Sequence, residues 1–252
     1  MNFESELIED FFLLSNQSRA FTPTDIPGLA LWLDASDAAT ITLDGSNNVS
    51  QWSDKSGNAR HVTQATILNR PTPSTATLTG LTAIKFEQKS LAHSLTYTLG
   101  SFFVVWEHPT TSSGEYNGIC GYRTGGGSDL DMSLLLPKTP GGPPPTRAWQ
   151  LYNAAETSTI VRLNGVQRPA GENEPNSGSP ARVSPNRWNY MSATFPVKTG
   201  VKALYLGTEA ASPATRLMQN GHIAEVIGYN TTLSAGSVAS VEAYIAAKWG
   251  IS

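Results

Sequence analysis

Residues 101–108 read SFFVVWEH, and Phe102 to Trp106 form an unbroken run of aromatic and β-branched side chains. Such side chains suit a pleated, half-buried surface and lose rotamer freedom in a helix. The run is of strand length and lacks polar alternation, which predicts a central strand buried on both faces. Segments of the same character recur on either side. TAIKFE (82–87) precedes it; GEYNGICGYR (114–123), DMSLLL (131–136), TRAWQLYNA (146–154), TSTIVRLNGVQ (157–167), NRWNYMSATF (186–195), VKALYLGT (201–208) and GHIAEVIGYN (221–230) follow. Nearer the start, LALWLDA (29–35) sets Leu29, Leu31 and Leu33 against Ala30, Trp32 and Asp34, and VSQWSD (49–54) follows turn residues at Asp44-Gly45 and Asn47-Asn48. Many short strands separated by turn signals predict an antiparallel sandwich rather than an α/β sheet.

Composition agrees. Charged residues make up 15% of the 252, below the usual share of about a quarter, while 22 glycines and 16 prolines supply turns. The single cysteine, Cys120, excludes a disulfide within the chain and a multi-cysteine metal site, and reads as a small buried apolar residue. The formal charge of −3 provides no basic footprint for nucleic acid. No apolar run reaches the roughly 20 residues of a membrane span, and the acidic N-terminus lacks the basic start of a secretory signal. Two proline- and glycine-rich stretches, 137–147 and 168–187, are predicted as long loops.

Both ends carry helical patterns. Phe3, Leu7, Phe11 and Leu14, with Ile8 beside them, recur at helical spacing in FESELIEDFFLL (3–14). Glu4, Glu6, Glu9 and Asp10 against Arg19 give residues 1–22 the whole net charge. Residues 1–24 therefore read as an amphipathic arm and linker, which either folds back on its own domain or docks a partner through those five apolar residues. Residues 25–252 form the sandwich domain. At the other end Ser234 is a good N-cap, Val238, Val241, Ile245 and Trp249 share one stripe, and Gly250 marks the stop. This short helix is expected to pack on IAEVIGY, the strand before it.

IPGLALWLDASDAATIT (26–42), VSQWSDKSGNARHVTQAT (49–66) and NRPT (69–72), with the closing GHIAEVIGYNTTLSAGSVASVEAYIAAKWGIS (221–252), resemble the laminin-G-like, concanavalin A-like domains found in bacteriophage virion proteins. STIVRLNGV and RWNYMSATF resemble that family's middle strands. The likeness spans residues 25–252 and is specific at both ends; residues 1–22 fall outside it. It implies a jelly-roll sandwich of two antiparallel sheets, and a structural virion component such as a capsid decoration, head fibre or tail or baseplate attachment. Such a protein is made in the host cytoplasm, joined to other virion proteins through the arm, and oligomeric in the assembled particle. Related domains bind glycans, sometimes with calcium at the rim, so a glycan-binding adhesion module is the alternative reading.

Candidate chemistry is sparse. Glycosidases of this fold carry Glu-x-Asp-x-x-Glu on one strand face; here Asp129 and Asp131 have the first spacing but position 134 is Leu, and Glu172 and Glu174 precede Pro175 in a loop. His61, His93, His108 and His222 show no metal-ligand spacing, no serine sits in a nucleophile elbow, and Gly125-Gly126-Gly127 lacks the lysine of a phosphate loop. No enzymatic activity is expected. Calcium would draw on Asp34, Asp37, Asp54 and Asn58, which flank rim turns and otherwise suit turn and cap chemistry. Of the six tryptophans, Trp149 beside the 137–147 loop is the candidate for stacking on a sugar; the rest are expected in the core.

Overall fold

The computed structural model describes residues 19–75, 77–94, 96–108, 117–123, 130–136, 150–152, 159–168, 187–208 and 217–252, with only the main chain described at 117, 130–136 and 150–152. Phe3, Leu7, Ile8, Phe11, Leu14 and Trp149 lie outside the described residues, as does nearly all of the two long loops.

Two eight-stranded antiparallel sheets face each other. The first runs β13 (Val166–Arg168), β12 (Ile160–Leu163), β14 (Trp188–Val201), β8 (Tyr97–Glu107), β16 (Gly221–Tyr229), β6 (Ala83–Phe86) and β5 (Thr72–Ser74). β1 (Leu29–Asp34) joins this sheet by pairing with the second half of β16, so β6 and β1 share one side of that strand. The second sheet runs β11 (Gln150–Tyr152), β10 (Leu130–Leu136), β9 (Asn117–Arg123), β15 (Ala203–Leu206), β7 (Leu91–His93), β4 (Val62–Thr63), β3 (Val49–Trp52) and β2 (Ile41–Leu43). The architecture is the expected all-β sandwich.

The 101–108 run sits at the centre of the first sheet, between β14 and β16, with Leu99 to Trp106 buried. Two cores account for its continuous hydrophobicity. Phe102, Val104 and Trp106 enter the core between the sheets, with Trp52, Val62, Leu91, Tyr122 and Leu204 opposite. Phe103 and Val105 face the other way, under the C-terminal helix. β1 is split likewise: Leu31 and Leu33 enter the inter-sheet core, and Trp32 turns towards the helix. Five tryptophans, at 32, 52, 106, 188 and 249, are buried, and the Cys120 thiol lies in the inter-sheet core, where burial pushes its pKa up.

The helix spans Ala235–Trp249 and begins where the Ser234 hydroxyl accepts from the Ser237 amide at 3.2 Å. It ends at Gly250, whose φ of 68° is the left-handed conformation a side chain disfavours. Its stripe covers more than the expected β16. Val238, Val241, Ile245 and Trp249 also pack over Phe103 and Val105 of β8 and Trp188 and Tyr190 of β14, with the Trp188 and Trp249 rings stacked at 6.2 Å. This second core reaches back to Phe21, edge-on to Tyr244 at 6.1 Å, and to the Pro23 carbonyl, which accepts from the Tyr229 hydroxyl at 2.9 Å. Local turn chemistry was also readable: Asn164 (φ 46°) and Gly165 (φ 77°) join β12 to β13 in a tight turn.

Trp249→Ala should cost about 3–5 kcal/mol, because a fully buried ring is lost and a cavity replaces it. That is a large share of the roughly 5–15 kcal/mol stabilising a domain. Denaturant or thermal unfolding of the variant is expected to show a markedly lower midpoint; a melt overlaying that of the parent chain would show that the helix does not pack in this way.

Candidate functional site

The most charged cluster in the described residues lies where β1, β16 and the helix meet. Asp34 and Glu225 are direct partners across the two strands. Glu225 is wholly buried, and its carboxylate accepts from the indole nitrogens of Trp32 (2.7 Å) and Trp249 (2.6 Å), the Tyr244 hydroxyl (2.8 Å) and the Lys248 ammonium (3.2 Å). Neither the indoles nor the ammonium can accept a proton, so the ionised form fits this donor set. Burial pushes the Glu225 pKa up, and Lys248 and the indoles pull against it. Asp34 is held below the ordinary carboxylate value: burial acts to raise it, but Lys248, Ser36 and Lys55 outweigh that. With Glu225 wholly enclosed and Asp34 held between two ammonium groups, the cluster ties β1, β16 and the helix together.

The residues expected to suit calcium do not fit it. Lys55 places its ammonium 3.0 Å from Asp34 and 2.9 Å from Asp37, occupying the space a divalent cation would need between them. Asp54 already accepts from the amides of Trp32, Ser56 and Arg60 at 2.8–3.0 Å and from the Ser56 hydroxyl at 2.7 Å. Asn58 turns its amide nitrogen inward and donates to the carbonyls of Leu29 and Ala30. Calcium needs about six to eight oxygens free to coordinate. Among the described residues no group of three or more His, Cys, Asp or Glu is placed to hold a metal. Asp37 also caps a short 3-10 turn by accepting from Ala39 at 3.1 Å. Of the carboxylates weighed for hydrolysis, Asp129, Glu172 and Glu174 lie outside the described residues, and Asp131 is described in its main chain alone, within β10.

A different site opens at the edge where the two sheets meet. The Val49 amide donates to the Pro71 carbonyl at 2.7 Å, tying β3 to the start of β5. Above this tie lies a surface cleft of about 330 Å³. Ser46 and Asn48 from the β2–β3 turn, Thr72 from β5, and Lys85, Glu87 and Lys89 from β6 and beyond give it polar walls. Ile67 and Leu68, in a 3-10 turn, and Pro71 are its apolar surface; Ile67 is 60% and Leu68 79% exposed. Two large apolar side chains thus stand open to water at one concavity, which makes the cleft the candidate site.

Asp44 braces the turn that forms one wall. It accepts from the amides of Ser46 (2.9 Å) and Asn48 (3.0 Å) and from the Arg70 guanidinium (3.0 Å), while Asn47 takes φ 66° to close the turn. Arg70 also donates to the carbonyls of Gln64 and Ala65, so it is locked. Sequence reading missed this cleft because its residues come from separate segments; the apolar pair Ile67-Leu68 within TQATILNR (63–70) was the one available signal.

No family model matches the chain, and no curated protein matches it in sequence. Solved structures share its fold. A Trypanosoma rangeli sialidase in complex with the inhibitor DANA is 13% identical with a TM-score of 0.50, over 94% of this chain and 37% of that one. A mutant of the same sialidase displaying trans-sialidase activity is 12% identical with a TM-score of 0.51, over 85% and 32%. The chain thus spans about a third of the sialidase chains it matches. Domain 4 of AbnA, a GH43 extracellular arabinanase from Geobacillus stearothermophilus in complex with arabinotriose, is matched over 85% of this chain and 98% of that domain, at 11% identity and a TM-score of 0.44, too low to bear on the fold. These comparisons support the β-sandwich and carry no link to a phage particle.

The donors around Asp44 hold its pKa down, from the ordinary 3.8 to about 2, the Asn48 amide contributing most. A carboxylate depressed in the folded state stabilises the fold above its unfolded pKa and loses that contribution as pH falls through the folded value. Asp44→Asn should therefore melt below the parent chain at neutral pH, with the gap closing between pH 3.8 and about 2. Thermal melts over that range check this; a gap independent of pH would contradict it.

Proposed function

We propose that this chain is a non-catalytic saccharide-binding module that holds its ligand in the cleft between the Ile67–Asn69 turn and β5–β6. One observation carries the reading: exposed apolar side chains, Ile67 and Leu68, stand beside hydrogen-bonding groups from Ser46, Asn48, Thr72 and Glu87. A pyranose has the matching chemistry, with an apolar C–H face and a girdle of hydroxyls. A volume of about 330 Å³ lies at the lower end of the roughly 300–1,000 Å³ usual for small-ligand sites. A single carboxylate, Glu87, lines the cleft, whereas two-carboxylate hydrolysis needs a pair, which supports binding without cleavage. The same fold in two sialidase chains is consistent with a carbohydrate context, though their activity is not carried over at 12–13% identity.

A glycan array probed with the purified chain tests this. Binding to at least one saccharide class is expected, weakened several-fold by Leu68→Asp or Asn48→Ala while the melting temperature holds. No binding by a folded sample, or release of reducing sugar from a bound glycan, would sink the proposal.

The virion placement is a second proposal, resting on the sequence likeness at residues 26–72 and 221–252 and on the apolar arm. Mass spectrometry of purified particles should then find the chain at a fixed copy number, reduced by deleting residues 1–18. Its absence from particles would overturn this placement.

A further inference from the structure

From the charge around the cleft we infer that its ligand is an anionic saccharide, one bearing a carboxylate or sulfate that Lys89 and Lys85 recognise. This rests on the saccharide reading above and adds the chemical class. Three cations, Arg70, Lys85 and Lys89, line the cleft; Asp44 and Glu87 pair with the first two, which leaves Lys89 as the cation without a carboxylate among the described residues, in a chain whose net charge is −3. The three cations have different standing. Arg70 is held by Asp44 and by two carbonyls, so its position is fixed and its charge is balanced by that carboxylate. Lys85 meets Glu87 at 3.0 Å, an open pair whose carboxylate is 63% exposed and which contributes little in water. Lys89 donates to the Leu68 carbonyl and meets no carboxylate among the described residues.

An ammonium has three donors, and Lys89 spends one of them. That one bond also fixes the head of a flexible side chain at the lip of the cleft, beside the apolar surface it shares with Leu68. A sugar resting its C–H face on Leu68 and Ile67 would bring a ring substituent to this ammonium. A neutral sugar would offer the remaining N–H groups only uncharged hydroxyl oxygens; an oxyanion would set charge against charge in short N–H···O bonds. Lys85, the cross-strand partner of Thr72 in the β5–β6 pairing, is the second cation lining the same cleft and can exchange Glu87 for the ligand. Carboxylate and sulfate share the chemistry an ammonium detects, and size and geometry separate them.

Titration calorimetry on the full chain with three probes decides the matter: a galacturonate trisaccharide, a sulfated galactose trisaccharide and neutral galactotriose. At least one anionic probe should bind tenfold or more tightly than the neutral one, and increasing salt should erase the difference. Which anionic probe wins identifies the source of the charge. Lys89→Met should weaken the anionic probe about tenfold, weaken the neutral one far less and leave the melting temperature unchanged; Lys85→Met should act in the same direction more weakly. Equal binding of all three probes, or full anionic binding by both variants, overturns the anionic class and leaves the saccharide reading standing. Failure of all three probes, with no binding on the glycan array, overturns both.

Discussion

The Lys248 ammonium, lying 2.7 Å from Asp34 and 3.2 Å from Glu225, is the contact on which the rest of the structure depends. β1 and β16 place these carboxylates opposite each other on one face, where like charges repel. Burying either uncompensated would cost more than most single contacts return. The helix supplies the compensation through Lys248, Tyr244 and Trp249, and β1 adds the Trp32 indole. The first described strand, the last strand and the helix are therefore one unit: without the helix, Glu225 would keep only the Trp32 indole among these donors.

That unit explains why one sheet is covered on both faces. The helix is short, but its stripe extends over β16, β8 and β14, and the side chains beneath it, Phe103, Val105, Tyr190 and Ile227, are those alternating with the inter-sheet core. The central strand must then be apolar throughout, as residues 102–106 are. The second sheet packs on the opposite face and meets the first at its open edge, where a proline within β5 and strands of two or three residues limit further pairing. The cleft lies at this edge. It is a consequence of how the sheets close, and it is lined by turn and edge residues outside the two buried cores.

The sequence by itself determined the longer strands, the turn at Asn164-Gly165 and the C-terminal helix from its cap to its glycine, because hydrophobic period, capping and left-handed backbone are local properties. Five tryptophans were placed in the core by the same alternation. Strands of two or three residues, β2, β4, β5 and β7, carry too few positions to show a period and are set by their neighbours. Only the tertiary structure decided what the acidic rim residues do. Asp34, Asp37, Asp54 and Asn58 have the oxygens of a cation site in sequence, but Lys55 and Lys248, brought from 21 and 214 residues away along the chain, occupy or neutralise that role for Asp34. The cleft was hidden for the same reason: Ser46, Leu68 and Lys89 are unremarkable apart, and come to line one cleft when the Val49–Pro71 hydrogen bond and the β5–β6 pairing draw them together. Short-range pattern dictates which elements form, and long-range pairing dictates which side chains share a space.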